Sequence, residues 1–174
     1  RQYRNCQFLT PETRRTTHFF WSYLNPRQPY QDEASWRRFI GRLQDLPEAL
    51  ATIRAAGLVP GAMTHESARL NLLVAGGYDL PVIGSPVNRA GWMMSPDREA
   101  ALAAVSGAGR PILAIKTLAC GRVEEGQLAQ WLTWAAQVPG VEAIALGVGS
   151  AEEAEESVPI LRAAFERRGT GVAP

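Results

Sequence analysis

The chain has 174 residues, of which 46% are hydrophobic and 20% charged, with a formal net charge of +1. That composition is ordinary for a globular protein. The near-neutral balance gives no global field for nucleic acid or an anionic membrane, and no apolar run reaches the roughly 18 residues of a membrane helix. Cys6 and Cys120 lie far apart, with no CxxC and no Cys/His cluster, which argues against a disulfide scaffold and against a metal site. Reduced thiols in a cytoplasm are the expectation. The opening residues, Arg1 to Cys6, read as neither a signal peptide nor a native start, as in a piece of a longer chain.

The first 31 residues alternate polar and aromatic side chains in two runs, Gln7 to Thr10 and Thr16 to Trp21. Thr, Phe and Trp suit a pleated surface, and Pro11-Glu12-Thr13 between the runs reads as a turn, so a β-hairpin segment and linker are expected over 1–31. A helical connector follows over 32–56. Asp32 is a cap, with Trp36, Phe39, Ile40 and Leu43 at helical spacing. A second helix is expected from Asp45, with Pro47 in its first turn and Gly57 closing it.

From residue 57 to 174 one unit recurs four times. The apolar runs are Leu58 to Met63, Leu80 to Gly84, Pro111 to Lys116 and Val141 to Leu146. The helices between and after them are expected at about Ser67 to Ala75, from Pro96-Asp97 to Gly107, Glu125 to Val138, and Ala151 to about Arg167. Short, nearly uniformly apolar strands alternating with amphipathic helices predict an α/β fold with a parallel sheet covered by helices. An open doubly wound sheet and a closed barrel both suit roughly 30 residues per unit. The sequence favours four βα units of a TIM-barrel-like half barrel.

In either architecture ligands bind at the carboxyl ends of the strands. Those positions hold Thr64 and His65, then Ser85 and Asn88, then Lys116 and Thr117, then Gly147 to Ser150. Chain exit from each strand alone would also place polar residues there. Lys116 ends a strand of Ile, Leu and Ala. It is either a solvent-reaching surface lysine or, if desolvated, a Schiff-base nucleophile. His65 either titrates or caps the next helix. Gly147-Val148-Gly149-Ser150 before a helix either cradles a phosphate or simply makes a tight turn. Trp92, Met93 and Met94 read as core or rim.

Four stretches resemble the C-terminal half of the aldo/keto reductase barrel. They are Met63-Thr64-His65, Ser85-Pro86-Val87-Asn88, Ile115-Lys116-Thr117-Leu118-Ala119-Cys120-Gly121-Arg122, and Pro139-Gly140-Val141 running through Gly147 to Ser150 and on to Glu156-Ser157. The resemblance implies a carbonyl-reducing oxidoreductase that binds NAD or NADP without a Rossmann fingerprint. It implies that Thr64 and His65 hold the nicotinamide amide, with Ser85 or Asn88 near the same ring. Lys116, Thr117, Leu118, Gly121 and Arg122 would line the pyrophosphate. Gly147, Gly149 and Ser150, with Glu153 and Glu156, would reach the adenosine end. The family's catalytic Asp, Tyr, Lys and His come from the other half of the barrel, so no catalytic residue is assigned here and the module is expected to be incomplete alone. Glu152, Glu153, Glu155 and Glu156 would repel a 2′-phosphate.

Residues 5–40, with Phe8 to Thr13 and Thr16 to Trp21, resemble instead a scaffold stretch near the C-terminus of Rieske-type aromatic-ring oxygenases, without that family's metal ligands. The alternatives to a reductase module are a nucleotide- or phosphate-binding module, a structural piece that completes a barrel with a partner or as a homo-oligomer, and a fragment related to a Rieske-type oxygenase.

Overall fold

A computed structural model describes residues 33–169, with side chains from residue 44 to residue 168. The hairpin expected over 1–31 and its oxygenase resemblance lie outside the described residues, apart from the start of the first helix. The described elements, in chain order, are α1 (Glu33–Ala55), β1 (Gly61–Met63), α2 (Ser67–Ala75), β2 (Val82–Pro86), α3 (Arg98–Ser106), β3 (Ile112–Ile115), α4 (Leu128–Gln137), β4 (Val141–Ala145) and α5 (Ala151–Gly169). The strands form one parallel sheet in the order β1-β2-β3-β4. The fold is therefore α/β.

Most of the predicted boundaries hold within a few residues, and the differences have local causes. The two helices expected on either side of Asp45 are one helix, α1, with Pro47 inside it. A proline in a helix interior removes one hydrogen bond and costs about 3 kcal/mol. The stripe Leu46, Leu50 and Ile53 outweighs that cost: Leu50 and Ile53 are buried at 3% and 6% exposure, and Leu46 packs against the same core. β2 begins two residues later than expected, at Val82, because the Leu80 amide bonds back to the Tyr78 carbonyl. α4 starts only at Leu128, since Gly126 turns with φ +77.

The pleat divides the sheet into two faces. Ile83, Ile112 and Val141 sit side by side in the ladder and are fully buried. With Ala62, Ala114 and Ile144 they join Leu50 of α1, Leu70 and Leu73 of α2, Ala104 and Val105 of α3, Ala135 of α4 and Phe165 of α5 in one cluster. All five helices thus contribute to the core on the same face of the sheet.

Caps fix the helix ends. Asp97 accepts from the Ala100 amide at 2.8 Å and starts α3. Arg54 grips Asp79 with two hydrogen bonds of 3.0 and 2.6 Å, tying the end of α1 to the turn before β2. Arg168 of α5 bonds the Val141 carbonyl and, at 3.0 Å, Glu142.

Gly140 is required by its turn. Its φ is +87, and a Cβ there would meet the Val105 carbonyl oxygen at 2.7 Å, closer than side-chain carbons approach a backbone. Gly140→Ala should lower unfolding stability by about 2 kcal/mol or more. Gly147→Ala, where a Cβ meets nothing within 4 Å and φ is not positive, should stay within about 0.5 kcal/mol. Urea denaturation of the two variants checks this, and equal midpoints would contradict it.

Candidate functional site

The carboxyl ends of β1, β2 and β3 and the loops that follow them gather most of the residues singled out above. The chain leaves β3 sharply: Lys116, Ala119 and Cys120 have φ of 55°, 46° and 56°, and Gly121 has 81°. L-residues rarely adopt this left-handed region, and clusters of it recur at ligand-binding loops. The turn is closed by Ala119 N–H to the Lys116 carbonyl at 2.8 Å and Gly121 N–H to the Leu118 carbonyl at 2.9 Å. Arg122 then folds back, its guanidinium donating to the Ala119 carbonyl at 3.1 Å.

The second loop, between β2 and α3, carries Trp92. Asn88, fully buried, braces it: the side-chain amide donates to the Trp92 carbonyl at 2.9 Å and accepts from the Trp92 amide at 2.8 Å. The Trp92 ring lies under two cations, with the Arg122 guanidinium carbon 4.4 Å and Lys116 Nζ 5.7 Å from its centroid. Each cation–π contact contributes about 0.5–1 kcal/mol where solvent reaches it. Trp92, expected as core or rim, stands instead at the centre of this loop cluster. Its place four residues beyond a strand-end asparagine was the only available signal.

The third loop, after β1, is tied to the second. Ser95 N–H donates to the His65 carbonyl at 3.1 Å, and Ser67 N–H to the Ser95 carbonyl at 2.9 Å. Thr64 is buried and accepts from the Glu66 amide at 3.2 Å, so its hydroxyl serves the turn into α2. Glu66 and Arg69 make an ion pair of 2.7 Å with side chains only 9% and 7% exposed, so the acidic side chain in this region is neutralised. The sequence analysis missed this pair. Its signal was an acid and an arginine three residues apart directly after a strand end.

Apart from Glu66 Oε2 and Arg69 Nε, which face each other in the ion pair, His65 Nε2 and Thr117 Oγ1 are buried in these loops without a hydrogen-bond partner. Such orphans are uncommon in folded proteins. The His65 imidazole is pushed down to about 4, first by burial and then by the positive charge of Lys116, and is therefore neutral at physiological pH.

The other predicted positions fall differently. Ser85 lies inside β2, buried, on the face that carries Ile83 and Ala114, so it points among the helices rather than out of the strand end. At the end of β4 the Gly149 amide donates to Glu153 Oε2 at 2.6 Å, and the Glu153 amide donates to Ser150 Oγ at 3.2 Å. This reciprocal cap closes the start of α5 with the protein's own carboxylate. The Glu152 carboxyl is held below its usual range by its backbone amide and the Ser150 hydroxyl. A phosphate entering at Gly147 to Ser150 would have to displace Glu153. Glu156 is exposed on α5, and Gly147 is exposed with open space around it.

No family model, curated protein or solved structure matches this chain. Among the described residues no group of three or more His, Cys, Asp or Glu could hold a metal ion, and no helix is long and apolar enough to cross a membrane.

The His65 shift makes a pH prediction. Its folded value lies below the unfolded value of 6.5, so the unfolded chain binds more protons between about 4 and 6.5. The stability contributed by neutral His65 is present above that window and is lost as pH falls through it, by at most about 1.4 kcal/mol per unit. Denaturant titrations across the window should show this slope, and His65→Gln should flatten it. An unchanged slope in the variant would assign the pH dependence to other groups.

Proposed function

We propose that this chain is the carboxyl-terminal half of a β/α barrel of the aldo/keto reductase kind, a nicotinamide-nucleotide-binding module without the residues for turnover on its own. The sequential strand order supports the barrel reading over an open doubly wound sheet, whose strand order reverses at a switch point. Helices confined to one face support it as well, since a doubly wound sheet covers both.

The observation that carries the binding reading is the pair of orphaned polar atoms beside the cations. Thr117 Oγ1 and His65 Nε2 are buried with no partner; Thr117 directly follows Lys116, the Lys116 charge acts on His65, and Lys116 shares the Trp92 ring with Arg122. An anion bound between these groups would complete them. Arg122 offers a planar fork for a diphosphate and Lys116 a point charge, with a hydroxyl donor from Thr117. His65 is neutral and keeps one N–H to offer to a carboxamide oxygen. Exposed Glu152, Glu153, Glu155 and Glu156 at the start of α5 favour plain NAD over a 2′-phosphorylated nucleotide. When bound, the nucleotide would supply hydride chemistry. Reduction of a carbonyl also needs a proton donor within hydrogen-bond reach, and the resemblance assigns that donor to the other half of the barrel.

Thr117→Val separates a binding hydroxyl from a packing accident. The substitution keeps the shape, so removing an orphaned hydroxyl should leave the melting temperature unchanged or raised. Affinity for NADH, read by fluorescence quenching of the tryptophans, should fall roughly tenfold, the worth of one charged hydrogen bond. Unchanged affinity in Thr117→Val and Arg122→Ala would remove the site from this loop. With NADH and a panel of aldehydes, the chain should show no cofactor oxidation above buffer, and a rate like that of an intact reductase would overturn the incompleteness.

A further inference from the structure

The face of the sheet opposite the helices carries apolar side chains that the site does not use. It carries Gly61 and Met63 of β1, Val82, Gly84 and Pro86 of β2, Leu113 and Ile115 of β3, and Ala143 and Ala145 of β4. None of these side chains belongs to the cluster that joins the helices to the sheet. Met63, Val82 and Leu113 are only half-buried and Ala143 and Ala145 are exposed, while Pro86 and Ile115 at the carboxyl end of the face are buried. β1 and β4 each have one ladder partner among the described strands, so both keep an open edge. Open edges and uncovered apolar faces invite association.

The side chains on this face have a pattern. In its middle row the residues paired across the ladder are Met63, Gly84, Leu113 and Ala143, which alternate bulky and small. The alternation is enforced by packing: a Cβ on Gly84 would lie 3.0 Å from the Met63 side chain. In this row the bulk comes from β1 and β3 and the gaps from β2 and β4. The interior of an eight-stranded barrel is filled in the same manner, by layers drawn from alternate strands.

We propose that a second copy of this chain docks on this face, joining two four-stranded halves into one eight-stranded parallel ring. The proposal rests on the half-barrel reading of the sheet. A second copy is the occupant that fits for three reasons. It supplies four parallel strands. A two-fold axis along the barrel then satisfies both edges at once, through two identical β4–β1 seams. In the middle row the alternation also continues in phase across each seam, from Ala143 of β4 to Met63 of β1 in the other copy. Because the strands stay parallel, the carboxyl ends of all eight surround one mouth. Lys116 and Arg122 of both copies then border the same opening, and the site of a single copy is half of the whole.

Sedimentation of the full chain at micromolar concentration, combined with hydrogen exchange at β1 and β4, tests this. A dimer is expected, with the edge amides of both strands protected. Leu113→Arg should yield a folded monomer by circular dichroism, with that protection reduced at least about tenfold. Ala145→Glu, at an exposed position on β4, should do the same and serves if Leu113→Arg fails to fold. Val158→Arg, on the outer face of α5 at a residue 49% exposed, should leave the dimer intact. A monomer with protected edges would overturn the second copy as the occupant and leave the barrel reading standing. A monomer with unprotected edges would overturn both. A dimer with unprotected edges, or one broken by Val158→Arg, would place the interface elsewhere and overturn the proposal. Nucleotide affinity enters none of these readouts, so its loss would bear only on the binding site.

Discussion

The structure depends on a single row of buried side chains, Ile83, Ile112 and Val141, aligned across three parallel strands with no exposed surface. Parallel strands cannot be joined by tight hairpins, and each connection must cross over the sheet. A crossover helix stays in place only if its apolar stripe finds apolar surface beneath it. Each fully buried aliphatic side chain in that row contributes about 1.5–3 kcal/mol, and the same surface serves the helices on either side. Two of the helices, α2 and α3, have nine residues each, too few to persist alone in water. Their stability is that of the shared core.

Placing the helices on one face has two consequences. The carboxyl ends of the strands point to one rim, and the loops leaving them lie close enough to bond one another. Ser95 reaches back to His65 and Ser67, Asn88 holds Trp92, and Trp92 lies under Lys116 and Arg122. Three loops separated in sequence thus meet at one rim, with two cations over a shared indole. The only buried carboxylate described near it, Glu66, is held by Arg69. The second consequence is that, among the described residues, the side chains paired across the opposite face are uncharged and none of them joins the cluster that holds the helices.

The two glycine-containing loops that were candidates for phosphate differ in a physically informative way. At the start of α5 the exposed amide is already capped by Glu153, so the dipole and the unpaired donor are satisfied within the chain. At residues 116–122 the backbone is held in left-handed turns, and a buried hydroxyl is left without a partner. Glycine spacing alone ranks the first loop higher. Satisfaction of hydrogen bonds ranks the second.

The sequence by itself determined the elements. Apolar runs of strand length, helices with Asp97 at one start and Gly76 and Gly107 at two ends, and their strict alternation were all written in local pattern, because caps and periodicity act over a few residues. The same pattern placed Lys116 and Thr117 at a strand end. Only the tertiary structure decided what depends on distance. Pro47 lies within one helix because packing on both sides outweighed a local rule. Ser85 was absorbed into β2 because the strand runs two residues further than expected, to Pro86, as long as the ladder finds partners in Ala114 and Ile115 of β3. Trp92 met Lys116 and Arg122, and Glu66 met Arg69 in a buried pair, because burial and cation–π contact are properties of neighbours in space that no spacing along the chain encodes.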